Sequence, residues 1–138
     1  MKNTAKPKKA RIKKPQKRGD FLSWYEIPAA NLDRAIHFYS SIFNINFETV
    51  HTGAHTMAFF PPESGIGGAL VYGDGSIPSQ TGSLLYLNAG SDLDASLGKI
   101  DSAGGQVLMG KTLISEEIGF YSLILDSEGN RLALYSKA

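Results

Sequence analysis

Apolar and polar residues follow two periods along this chain, and the periods change in the same order twice. Phe21 to Ile27 is rich in aromatic and β-branched residues and stops at Pro28, which predicts a strand. Beyond it, Leu32, Ala35, Ile36, Tyr39, Ile42 and Phe43 recur on one face at helical spacing. Asn31 is placed to cap that helix, Asp33 suits the positive end of its dipole, and Asn44 supplies a stop. Phe47 to Val50, Thr56 to Phe60 and Ile66 to Tyr72 predict three more strands, divided by the Thr52-Gly53 turn and the Pro61-Pro62 break.

A loop rich in Gly, Ser and Pro runs from Gly73 to Gly82, and the order then begins again with the apolar run Leu84 to Leu87. Leu93, Leu97 and Ile100 repeat the internal spacing of Leu32, Ile36 and Tyr39, and Gly104-Gly105 supplies a left-handed cap. Gln106 to Leu108, Phe120 to Leu125 and Arg131 to Tyr135 predict strands, with Asp126, Gly129 and Asn130 in the last turn. The pattern predicts an α+β protein made of two βαβββ modules, about residues 20–73 and 82–138, whose half-sheets share one core. Two copies are too few, and the period of about sixty residues too long, for a solenoid.

Composition changes this picture at one end only. Of 14 basic residues, nine fall within the first eighteen positions, whereas the remaining chain sets five against 13 acids and carries a net charge of −8. A lysine-rich stretch interrupted by Pro7 and Pro15 buries too little apolar surface to offset its ordering entropy, so residues 1–19 are expected to be a disordered basic tail. Its charge suits nucleic-acid phosphates or an acidic partner, but it lacks the aromatics that base stacking uses. The 138 residues contain no cysteine, which excludes disulfides, thiolate metal sites and cysteine nucleophiles. No apolar run has the length of a membrane span or of a secretory leader, so a soluble cytoplasmic protein is expected.

The stretches IPAANLDRAIHFYSSIFN, GSLLYLNAGSDLDASLGKIDSAGGQV and DSEGNRLALYS, in this order, resemble the vicinal oxygen chelate superfamily of glyoxalases, bleomycin resistance proteins and extradiol dioxygenases. The resemblance covers residues 21–136 and implies a strongly curved mixed sheet enclosing a cleft, within one chain or across a homodimer. It also implies where a divalent metal would be held: by side chains on the first and fourth strand of each module. Those positions here are Trp24, a residue close to Ala69, Ser83 or Leu85, and Ala133, none of them a usual ligand. Across the four strands concerned, Glu26 is the sole carboxylate and no histidine occurs, so no metal cofactor is expected. Glyoxalase chemistry, which in this family depends on the metal, is not expected either.

Other chemistry is sparse. His51 and His55 flank the Thr52-Gly53 turn, where a hairpin brings two imidazoles together without an evident third ligand, and His37 borders the apolar face of its helix. No Gly-x-Ser-x-Gly elbow occurs, and Gly65-Ile66-Gly67-Gly68 lacks the setting of a dinucleotide loop and is expected to let its strand bend. If Trp24 points into the cleft, alternation places Leu22, Glu26, Ala69, Val71, Leu85, Leu87, Arg131, Ala133 and Tyr135 there too, with Phe59 from the third strand. Trp24, Glu26, Phe59, Leu85, Arg131 and Tyr135 are therefore the candidate ligand-binding residues: stacking surfaces with two charges that fix a polar end or else pair with each other.

Three function classes follow. The first is a metal-free protein that binds a small hydrophobic or aromatic molecule. The second is an enzyme (lyase, isomerase or dioxygenase) that uses either a metal or Glu26, the only catalytic candidate, as a general base poised by burial. The third is an interaction module acting through the basic tail.

Overall fold

The computed structural model describes residues 19–63 and 65–138, so the expected tail falls, apart from Gly19, outside the described residues. The first module comprises β1 (Trp24–Pro28), α1 (Leu32–Phe43), β2 (Glu48–Thr52), β3 (His55–Phe59) and β4 (Gly67–Gly73). The second repeats it with β5 (Tyr86–Asn88), α2 (Leu93–Leu97), β6 (Gln106–Ser115), β7 (Gly119–Leu125) and β8 (Arg131–Ser136). Each module forms a four-stranded sheet, in the orders β1-β4-β3-β2 and β5-β8-β7-β6. The outer pairs β1·β4 and β5·β8 are parallel and all other pairs antiparallel. The chain is thus the expected α+β duplication. No helix among the described residues is long and apolar enough to cross a membrane.

Local chemistry explains the first helix. The Asn31 side chain accepts from the Arg34 N–H at 3.0 Å, and Asn44 closes the helix in the left-handed region at φ 56°. Ala35, Phe38, Tyr39 and Ile42 form its buried face. The second helix is shorter than its spacing suggests. It ends at Leu97, and Gly98 to Gly105 continue in tight turns such as Lys99 N–H to Ser96 O and Ile100 N–H to Leu97 O. Gly98, Asp101, Ser102, Gly104 and Gly105 are poor helix formers, yet Ile100 and Ala103 still reach the core. In the other direction, β6 runs on to Ser115, seven residues beyond the expected Leu108, through several register shifts.

The helices cover one face of the sheets. Fully buried Phe38 and Tyr39 stand edge to face at 4.9 Å, and Tyr39 packs on Phe60, which also meets Tyr25 and Phe47. Burying rings of this size stabilises by about 1.5–3 kcal/mol each. Gly67 and Gly68 make room for aromatic rings on both sides of β4. A Cβ at Gly68 would lie 2.2 Å from Tyr25 Cζ on the covered face, and one at Gly67 would lie 2.9 Å from Trp24 Cζ3 on the opposite face.

The two modules are clamped by the turn between β7 and β8. Glu128, its side chain fully enclosed, accepts from the Ala30 and Asn31 N–H groups at 2.9 and 2.8 Å, from Arg34 Nε at 2.7 Å and from Arg34 Nη2 at 3.0 Å. Buried Asp126 accepts from the Tyr39 hydroxyl at 2.6 Å and from the Glu128 and Asn130 N–H groups at 2.8 and 2.9 Å. Asn130 donates to Pro28 O at 2.7 Å, at the end of β1. The Tyr39 hydroxyl is held well above its ordinary pKa, first by burial and then by the Asp126 charge beside it.

Glu128 carries the sharpest energetic consequence. Burial raises its carboxyl pKa, but the Arg34 hydrogen bond, the Asn31 N–H, the Ser127 hydroxyl and the Arg34 charge outweigh that and leave it below the ordinary 4.5. The folded state therefore binds this proton less readily than the unfolded chain. Its stabilisation is full above pH 4.5 and is lost as pH falls through the lower folded value. Glu128→Ala should lower the unfolding free energy at pH 7 by about 2–3 kcal/mol in urea titrations, mostly from the orphaned backbone donors because Arg34 is half exposed. The gap between wild type and Glu128→Gln should narrow from pH 6 to pH 3, and a constant gap would refute the assignment. Gly68→Ala should cost about 1–3 kcal/mol, because Tyr25 is wedged against Phe60. Gly67→Ala should instead leave stability within about 0.5 kcal/mol and shift the Trp24 emission, because that ring has room to turn.

Candidate functional site

Strand register decides which side chains reach the uncovered face. In the first sheet, Trp24 and Glu26 on β1 stand beside Gly67 and Ala69 on β4, and Phe59 on β3 pairs with Ala69. In the second, Tyr86 on β5 stands beside Ala133 on β8, Leu123 on β7 pairs with Ala133, and Tyr121 pairs with Tyr135. Helix α1 touches α2, with the Ser96 hydroxyl donating to Ile42 O. The covered faces therefore share one core.

Each open face carries an aromatic pair. Trp24 and Phe59 meet edge to face at 5.8 Å, and Tyr86 and Tyr121 lie nearly parallel at 5.8 Å. Trp24 is 43% exposed and Tyr86 52%. Beside each pair stands a small residue, Ala69 in the first sheet and Ala133 in the second, both fully buried. Tyr135 is fixed by a hydrogen bond from its hydroxyl to Ile118 O, on the turn between β6 and β7.

Trp24, Glu26, Phe59, Arg131 and Tyr135 share the parity expected of them. Leu85 does not. With Tyr86 opposite Ala133, Leu85 turns to the covered side and packs on the core, as Leu87 does. The expectation slipped by one residue because Leu84 to Leu87 is apolar throughout and shows no alternation; one step along a strand exchanges the faces. Tyr86 and Tyr121 were missed for this reason. Parallel register counted back from Ala133 was the signal that finds Tyr86.

The charges on this face are separate. Glu26 is exposed and accepts from Trp24 Nε1 at 3.3 Å, so the burial on which a general-base role rested is missing. No ion pair joins it to Arg131; the ion pairs among the described residues are Arg34–Glu128 and Lys111–Asp94. His51 and His55 do not converge. His51 pairs with Thr56 and bonds its hydroxyl at 3.0 Å, whereas His55 turns to the other face and bonds Asp74 O at 2.9 Å.

A metal does not fit this donor set. Glu26 is the lone carboxylate beside Trp24, Ala69, Tyr86 and Ala133, and among the described residues no three of His, Cys, Asp and Glu converge. Two hollows adjoin these elements. One of about 510 Å³ sits at the start of α1 beside His51 and Tyr72. Another of about 940 Å³ follows the seam between the modules, between Leu22 and Tyr25 on one side and Leu84 to Ala89 on the other.

Comparisons with known proteins fit this geometry. No curated protein matches the chain. Among solved structures, glyoxalase I from Zea mays superposes with a TM-score of 0.65 at 20% identity, over 85% of this chain and 44% of that one. The chain thus spans under half the length of that enzyme. A glyoxylase/bleomycin resistance protein/dioxygenase domain from Frankia sp. EAN1pec gives a TM-score of 0.66 at 17% identity, over 88% of this chain and 98% of that one. A mutant of the fosfomycin resistance protein FosX from Listeria monocytogenes, complexed with manganese(II) and 1S,2S-dihydroxypropylphosphonic acid, gives 0.62 at 19% identity, over 88% and 93%. At such identities these likenesses establish the fold. The model of the Glyoxalase/Bleomycin resistance protein/Dioxygenase superfamily matches residues 21–134, and with the repeated βαβββ architecture this shows that the chain belongs to that superfamily.

Proposed function

We propose that the chain binds a small, flat, largely apolar molecule across the open faces of its two sheets, without a metal. The observation that carries this reading is the pair of exposed aromatic clusters, Trp24 with Phe59 and Tyr86 with Tyr121, one from each module. Rings left in water on a preformed face offer stacking surface at little ordering cost. Glu26 and Arg131, set on the same face without pairing, supply polarity at its ends. An electrophilic metal has no ligand set here, so binding rather than metal-assisted chemistry is the reading the residues support.

The chain contains one tryptophan, so its fluorescence reports on this face alone. Titration with the neutral aromatic 2-naphthamide should change Trp24 emission saturably, and calorimetry should show Tyr86→Ala or Phe59→Ala weakening that binding by about tenfold. Absence of saturable binding at roughly millimolar probe, or wild-type affinity in both variants, would overturn the reading. Elemental analysis after incubation with nickel, zinc, manganese or ferrous iron should find no stoichiometric metal. One tightly held ion per chain would move the protein to the metal-dependent class.

A further inference from the structure

Among the described residues, the buried side-chain atoms without a hydrogen-bond partner are Ser122 Oγ and Arg131 Nε. The two differ in kind. Ser122 pairs with Leu134 on the covered side, where a hydroxyl rotor sits among apolar side chains. Arg131 begins β8 opposite Leu125, on the open face it shares with Ala133 and Tyr135. Its backbone is pinned, because its N–H donates to Ser79 O at 3.2 Å and the neighbouring Asn130 Oδ1 accepts from Ser79 N–H at 3.0 Å. A guanidinium whose Nε is buried without a partner, and to which neither Glu26 nor any other carboxylate among the described residues is paired, is an unmet demand for negative charge.

The geometry points to an anionic ligand: a flat aromatic carboxylic acid whose ring lies on the Tyr86 and Tyr121 pair of the same sheet and whose carboxylate takes the Arg131 Nε–H. This rests on the small-molecule reading above and adds the ligand's charge and direction. A neutral carbonyl would satisfy the single donor but leave the cation uncompensated. A carboxylate meets both, because the planar guanidinium offers Nε and Nη as a fork matched to two oxygens.

Two probes of one shape, 2-naphthoate and 2-naphthamide, separate this inference from the reading beneath it. In the full-length protein at low salt, calorimetry should find naphthoate bound about tenfold or more tighter than the amide. The ¹⁵N-detected Nε–H signal of Arg131 should shift with naphthoate and much less with the amide. Arg131→Gln should abolish the preference, so that the variant binds naphthoate and naphthamide alike. If that variant does not fold, the probe comparison and the Nε–H shift in wild-type protein still decide. Equal affinity for the two probes would overturn the anionic assignment, leave water as the partner of Nε and keep the small-molecule reading. Binding of neither probe would overturn both.

Discussion

Two carboxylates in one five-residue turn hold this molecule together. The start of α1 exposes N–H donors that no helical carbonyl can satisfy, and Glu128, arriving from the far module, takes two backbone donors together with Arg34. Two residues away, Asp126 ties off its own turn and the Tyr39 hydroxyl in the centre of the core. Asn130 then fastens the end of β1. Glu128, Asp126, Tyr39 and Asn130 are enclosed, so the modules cannot slide relative to one another without stranding several buried groups at once. The open face, built from strands of both modules, inherits its geometry from this clamp.

Above the clamp, the sheets divide their labour by parity. One face packs an aromatic core under two helices, while the other sets Ala69 and Ala133 beside paired rings. The open faces carry tryptophan, tyrosine and alanine on β1, β4, β5 and β8. The fold by itself does not dictate what such a face does.

Much of this was legible in the chain. Asn31 and Asn44 bracket α1 because capping chemistry is local, and the strand order follows from one duplicated pattern. The face of β1 was legible too, because Trp24 and Glu26 alternate with Tyr25 and buried Ile27. What failed was non-local. Leu84 to Leu87 and Phe120 to Leu125 are apolar on both faces, so only pairing with β8 reveals that Tyr86 and Tyr121 look outward. The length of β6 was hidden because Gly110 and Lys111 interrupt its alternation, while β7 supplies the pairing that carries the strand through. Glu128 looked like an ordinary turn residue; its role depends on Ala30 and Asn31, some 97 positions earlier.

That separation also sets an order of events during synthesis. When α1 and its aromatic neighbours first leave the ribosome, the donors of Ala30 and Asn31 and the hydroxyl of Tyr39 have only water for partners. The first module can collapse but cannot finish, and its core stays open to exchange until residues 126–130 have been made. Closure of the last turn is therefore a checkpoint: a chain interrupted before it carries an unlatched half, with the edges of its sheet and an incomplete helix start offered to chaperones and proteases.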